Sequence, residues 1–188
     1  MQITTLATEF PLVHVDIADY SLMLEKLEAI AQTAIEQGQL TASPHNNAKF
    51  RHIIDLDNSI TISKTPFRQI FNTLLSMDTR NRWITADDTF FDSCLLYTDL
   101  VVDMPGFKLD WHIDNRAVVV QGVINITKND KGTKFRMLDG AVIEGSGKRC
   151  EGTFWLNTEN SIHGVSSVGK PRVVLLCTVT LPVRKNQL

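Results

Sequence analysis

Beyond residue 90 the chain is a succession of short β segments, and nothing else in it constrains the fold as strongly. Candidate strands run over Phe91–Val102, Phe107–His112, Ala117–Thr127, Lys134–Leu138, Gly152–Leu156, Ser161–Val168 and Arg172–Leu181. Turn signals separate them at Met104-Pro105-Gly106, Asn129-Asp130-Lys131-Gly132, Gly145-Ser146-Gly147 and Val168-Gly169-Lys170-Pro171. Many short strands at this spacing bury their apolar faces best as a sandwich or barrel.

The first ninety residues have a different texture. Ser21 to Gln37 sets Leu22, Leu24, Leu27, Ile30, Ala31, Ala34 and Ile35 largely along one stripe, with Gly38 as a stop signal. Thr65 to Met77 repeats the logic: Thr65 is placed to cap, Pro66 suits a first helical position, and Phe67, Ile70, Phe71, Leu74 and Leu75 form the apolar face. Both read as packing helices. Between them Ile53 to Ile62 reads as a short hairpin turning at Asp57-Asn58, within a polar stretch that carries His45 and His52. The fold class is therefore mainly β with N-terminal helices, an α+β arrangement, and the 188 residues suit one domain.

Composition excludes several function classes. Lys+Arg 19 against Asp+Glu 21 leaves a net charge of −2, which disfavours nucleic acid as the main partner. The three cysteines, Cys94, Cys150 and Cys177, are too few and too far apart for a disulfide framework or a zinc ribbon; they read as buried thiols of a reducing compartment. The N-terminal residues lack the cationic start and apolar run of a signal peptide, and the longest apolar runs, such as Val173 to Val179, fall far short of a bilayer span. A cytoplasmic protein without membrane partners is the expectation.

The chemistry concentrates in Leu109-Asp110-Trp111-His112-Ile113-Asp114-Asn115. In extended chain, residues two apart project to the same side, so His112 and Asp114 share a face. His163 follows 49 positions after Asp114, at the start of another predicted strand. Two imidazoles and a carboxylate form the ligand set of a facial non-heme Fe(II) site with three positions left open, whereas a closed zinc site favours four protein ligands. Arg172, nine residues past His163, sits in an apolar strand where a guanidinium is costly unless it meets an anion. A salt bridge to an acidic side chain answers that need, and so does the carboxylate of a bound small molecule held by a bidentate fork.

In pattern, order and spacing these residues resemble the 2-oxoglutarate- and Fe(II)-dependent dioxygenases, and within them the prolyl-hydroxylase-like branch. Met104-Pro105-Gly106-Phe107-Lys108-Leu109-Asp110-Trp111-His112-Ile113-Asp114 is similar to the stretch that leads into that branch's first two iron ligands. Gly132-Thr133-Lys134-Phe135 resembles its Gly-rich turn. Gly152-Thr153-Phe154-Trp155-Leu156, His163-Gly164-Val165 and Pro171-Arg172 resemble the strands bearing the distal ligand and the 2-oxoglutarate arginine. The resemblance implies a double-stranded β-helix, or jelly-roll, over residues 91–181, with residues 1–90 as a helical buttress and hairpin. It also implies metal ligands His112, Asp114 and His163, with Arg172 on the distal carboxylate of 2-oxoglutarate. Met104 stands where that branch commonly has a Tyr, so Tyr97, Asn125 and Thr133 are the candidates for further contacts to the co-substrate.

The reaction so implied consumes O₂ and 2-oxoglutarate, releases succinate and CO₂, and hydroxylates a C–H bond of a peptidyl or small-molecule substrate. Related halogenases lack the carboxylate ligand, so Asp114 favours hydroxylation or demethylation, with hydroxylation the default. Two other readings stand beside it: a cupin-like metalloenzyme that does not use 2-oxoglutarate, and a catalytically silent jelly-roll binding module. Residues 78–92, with Arg80, Arg82 and Trp83, read as a connector or as a lid.

Overall fold

The computed structural model describes residues 1–7, 10–43, 49–54, 64–78, 88–129 and 131–181. Its strands are β1 (Gln2–Ala7), β2 (Leu12–Asp16), β3 (Thr41–Ala42), β4 (Arg51–Ile54), β5 (Leu95–Asp103), β6 (Leu109–His112), β7 (Val118–Asn125), β8 (Thr133–Arg136), β9 (Val142–Glu144), β10 (Glu151–Leu156), β11 (His163–Val165) and β12 (Arg172–Thr180). The helices are α1 (Ser21–Gln37), α2 (Thr65–Met77) and α3 (Asp88–Ser93). The strands form an eight-stranded sheet ordered β1-β2-β10-β7-β12-β5-β4-β3 and a four-stranded sheet ordered β6-β11-β8-β9. Every pairing is antiparallel. This is a jelly-roll with helices against one sheet.

Alternation along β12 explains the layering. Val173, Leu175, Cys177 and Val179 face a core shared with Leu24, Leu27, Phe67, Ile70, Phe71 and Leu74 of α1 and α2. Val174 and Leu176 point the other way, into a second core with Leu12, Val101, Val123, Phe135 and Trp155 between the two sheets. Period-2 alternation sends Arg172 into that inter-sheet space too. Both helices have the predicted bounds. Gly38 ends α1 in the left-handed region at φ 65°, a conformation that costs glycine little. Thr65 is the first residue of α2 rather than its cap, since the cap position falls to Lys64 without a side-chain cap bond.

The first ninety residues supply more than a buttress and a hairpin. β1 and β2 extend the large sheet at one edge, where β2 pairs with β10; β3 and β4 extend it at the other, where β4 pairs with β5. The expected Ile53–Ile62 hairpin is described only as far as Ile54, which closes β4; its turn and second arm, like His45 and most of residues 78–92, lie outside the described residues. Phe91 belongs to α3 and not to a strand: its ring packs 5.1 Å from that of Phe71, and Phe90 stacks on the same ring at 5.8 Å. β9 lies just before the Gly145-Ser146-Gly147 turn, in a stretch to which the sequence reading assigns no strand.

The three thiols are free, and no helix among the described residues is long and apolar enough to cross a membrane.

Candidate metal centre and its buried arginine

Three short pieces of chain bring the centre together. His112 ends β6 and His163 begins β11, and the antiparallel register sets the two directly opposite each other, a pairing that brings side chains together across strands. Their ring centroids lie 4.2 Å apart. Asp114, two residues past His112, turns its carboxylate toward both: His112 Nε2 is 3.8 Å from Oδ1 and His163 Nε2 is 3.6 Å from Oδ2. One ligand atom from each of the three residues falls within 4.8 Å of the others.

Each imidazole is oriented by the main chain. His112 Nδ1 lies 2.9 Å from the carbonyl of Asp110, and His163 Nδ1 lies 2.9 Å from the carbonyl of Ser161. With Nδ1 carrying the proton, both Nε2 lone pairs face the Asp114 carboxylate, the tautomer a metal ligand needs. The site is graded in exposure: the His163 side chain is 4% exposed, Asp114 18% and His112 34%. Burial pulls the His163 pKa down, with nearby His112 adding to the effect, while the Asp114 carboxylate and the Ser161 carbonyl oppose it. Asp114 Oδ2 is buried and accepts no hydrogen bond. A desolvated carboxylate oxygen flanked by two imidazole nitrogens fits a divalent cation.

Aromatic rings wall the inner side. His163 packs 4.6 Å from Trp155, and Trp155 meets Phe135 edge-on at 5.1 Å. The centre thus stands on the small sheet while its wall comes from both sheets.

Arg172 begins β12 and is 2% exposed. Its neighbour in register is Asp103 of β5, itself at 0% exposure, whose other neighbour is Arg51 of β4. Arg51 grips Asp103 through Nε–Oδ1 at 2.6 Å and Nη2–Oδ2 at 3.0 Å, with its guanidinium 4.2 Å above the Phe107 ring. Arg172 Nε stays 4.0 Å from Asp103 Oδ2, and neither its Nε nor its Nη1 has a hydrogen-bond partner. A buried guanidinium with unanswered donors fits an anion.

The other sequence candidates fall in different places. Thr133 is buried on the inner face of the small sheet, two residues from Phe135. Asn125 is buried beside β12, but its Nδ2 donates to the carbonyls of Ser146 at 2.8 Å and Glu151 at 3.0 Å, and its Oδ1 accepts from Asn129 Nδ2 at 2.9 Å. Both its donor hydrogens are thereby used in holding the segment before β10. Tyr97 is exposed and pairs with Thr178, six residues along β12 from Arg172, or about 20 Å at strand rise. It does not join the arginine cluster.

Three residues that sequence reasoning did not single out belong to the neighbourhood: Arg51 and Asp103, just described, and Asn157. Asn157 Nδ2 faces the carbonyls of Asn115 at 3.0 Å, Val118 at 3.1 Å and Asp114 at 3.4 Å. It therefore pins the turn that carries the carboxylate. Arg51 and Asp103 carry no distinguishing signal in the sequence, since Arg51 opens β4 beside His52 and Asp103 closes a β5 that also holds Asp99.

No protein-family model matches the sequence, and no curated protein does either. Solved structures do match. A prolyl-4-hydroxylase from Pseudomonas putida superposes with a TM-score of 0.64 at 12% identity, over 92% of this chain and 93% of its own. A Trichoplax adhaerens prolyl hydroxylase, solved with a peptide fragment of a hypoxia-inducible factor, gives 0.64 at 9% identity, over 90% and 83%. A non-heme α-ketoglutarate-dependent epimerase of nogalamycin biosynthesis gives 0.58 at 10% identity, over 92% and 78%. The chain thus shares its jelly-roll fold with two prolyl hydroxylases and an α-ketoglutarate-dependent epimerase, along nearly its whole length.

Proposed function

We propose that this protein is an Fe(II)- and 2-oxoglutarate-dependent dioxygenase that hydroxylates a C–H bond of a peptidyl or small-molecule substrate. The observation that carries the reading is the presence, within one jelly-roll, of an open three-residue ligand set and a fully buried arginine with unanswered donors. The likeness in fold to a prolyl-4-hydroxylase and to a non-heme α-ketoglutarate-dependent epimerase supports it.

In this reading His112, Asp114 and His163 hold the iron on one side, leaving positions for 2-oxoglutarate and O₂. Arg172 takes the distal carboxylate of 2-oxoglutarate, and buried Thr133 is the further contact from the small sheet. When bound, iron and 2-oxoglutarate supply the oxidative decarboxylation that yields succinate and CO₂ and oxidises the substrate. The chain's own part is placement. The Asp110 and Ser161 carbonyls fix the imidazoles, and Trp155 and Phe135 keep the inner side dry. The substrate approaches from the more exposed His112 side. One neighbour of this fold was solved in complex with a peptide fragment and another belongs to nogalamycin biosynthesis, and both substrate classes stay within the reading.

Anaerobic titration with Fe(II) and then 2-oxoglutarate tests it, read at the visible charge-transfer band of the chelate. The band should form with wild type and not with Asp114→Ala. Iron binding without a band would overturn the role of 2-oxoglutarate in favour of a cupin-like metalloenzyme, and no iron binding would overturn the ligand set.

A further inference from the structure

Arg51, Asp103 and Arg172 lie side by side on three neighbouring strands, two cations around one anion. A lone buried aspartate beside a buried arginine ordinarily closes a two-bond fork with it, because that geometry satisfies both groups. Here the fork is closed by the wrong arginine for that purpose. Arg51 takes both oxygens of Asp103, and stacking on Phe107 holds its guanidinium in place. Arg172 is left at 4.0 Å, near enough for attraction to offset part of its burial, yet with Nε and Nη1 free of partners. The cluster carries a net charge of +1 inside the barrel.

We infer that Arg51 is a positioning residue for co-substrate binding: by occupying both oxygens of Asp103 it keeps the Arg172 guanidinium uncommitted for an incoming carboxylate. The inference rests on the proposed reading of Arg172. Burial lowers the Arg172 pKa, with the Arg51 cation adding to that and Asp103 opposing it, so a bound dicarboxylate would also relieve the excess positive charge. Without Arg51, Asp103 turns to Arg172 and competes with the ligand. A merely structural Arg51 would stabilise the β4–β5 edge and leave the affinity of the folded protein for 2-oxoglutarate unchanged.

The test is anaerobic 2-oxoglutarate titration of Fe(II)-loaded protein, with Fe(II) affinity and circular dichroism measured alongside. Arg51→Gln should weaken 2-oxoglutarate binding about tenfold or more, the scale of one charge-assisted interaction, with Fe(II) affinity unchanged. The double variant Arg51→Gln/Asp103→Asn, which removes the competitor, should recover most of the loss. Arg51→Lys keeps the cation without the fork and should fall between wild type and Arg51→Gln. Wild-type affinity in Arg51→Gln, or no recovery in the folded double variant, would overturn the inference. Arg172→Met separates the two levels. If it keeps wild-type affinity, the reading of Arg172 fails; if it loses 2-oxoglutarate while Arg51→Gln keeps it, only the role of Arg51 fails.

Discussion

The carboxamide of Asn157 donates to the main-chain carbonyl of Asn115 at 3.0 Å, and through that contact two separate arms of the candidate metal centre are joined. The same nitrogen reaches the carbonyls of Val118 and Asp114, while Asn157 Oδ1 accepts from Ser161 Oγ at 3.3 Å. Ser161 in turn presents its carbonyl to His163 Nδ1. One side chain at the end of β10 therefore ties the turn carrying Asp114 to the segment carrying His163. Asn157→Ala removes the tie without touching a ligand. Fe(II) affinity should fall by about 10–100-fold, the usual cost of losing a group that orients ligands. Metal titration of the folded variant measures it, and unchanged affinity would show that the turn holds its shape unaided.

Replacing Arg172 separates stability from binding. The guanidinium is buried with unanswered donors, whereas Asp103 keeps its fork to Arg51. Arg172→Met substitutes an apolar side chain of similar length; because Asp103 keeps its fork to Arg51, no buried carboxylate is left alone, and the desolvation cost of an incompletely paired cation is removed. Urea denaturation should show an apoprotein at least as stable as wild type, while 2-oxoglutarate binding is lost. A strong destabilisation would mean that the Arg172–Asp103 attraction is a structural necessity.

The parts legible in the sequence were those whose meaning is local or ordered along the chain. His112 and Asp114 share a face because they are two residues apart, and α1 and α2 announce themselves through their apolar stripes and, for α1, Gly38. Arg172 stood out because a charge in an apolar strand demands a partner. That the partner is left incomplete was not legible, because Arg51 and Asp103 lie 52 positions apart and meet only through strand register. Asn157 was hidden for the same reason, since it acts on carbonyls about 40 positions earlier and nothing about a lone Asn marks it. Phe90 and Phe91 suit a strand as well as a helix, and only their packing on Phe71 decides between them. Tyr97 shows the converse error: a residue type suited to the site stands at the far end of its strand.

Gly132 immediately precedes β8, where two backbones nearly touch. A Cβ at this position would lie 1.9 Å from the Gly145 carbonyl oxygen, and backbone cannot swing aside as a side chain can. The Gly145 N–H bonds the Thr133 carbonyl at 2.8 Å across the same contact. Gly132→Ala should therefore force the β8–β9 pair apart and destabilise the fold by about 1–3 kcal/mol, the range of overpacked sites. Because Thr133 moves with the strand, 2-oxoglutarate affinity should drop as well. Chemical denaturation gives the first effect and anaerobic titration the second; a variant with wild-type values for both would show that the strand ends can separate freely.

The buried thiols make alkaline stability a test of the core on the helix side. Burial pushes the Cys177 thiol far above its ordinary 9.0, with the nearby Asp99 carboxylate adding to the shift. Cys94 is also raised by burial, against a hydrogen bond from Ser93. A thiol raised on folding stays protonated in the native state while the unfolded chain releases its proton. Stability is thus unaffected well below 9.0 and is lost as pH climbs past it, by up to about 1.4 kcal/mol per pH unit for each such thiol. Cys177→Val, similar in size and suited to a strand, removes one of these terms. Between pH 9 and 10.5 its unfolding free energy should decline less steeply than that of wild type, by about one proton's worth of slope. Parallel slopes would mean that water reaches the thiol and that the packing of α1 and α2 over β12 opens before the protein unfolds.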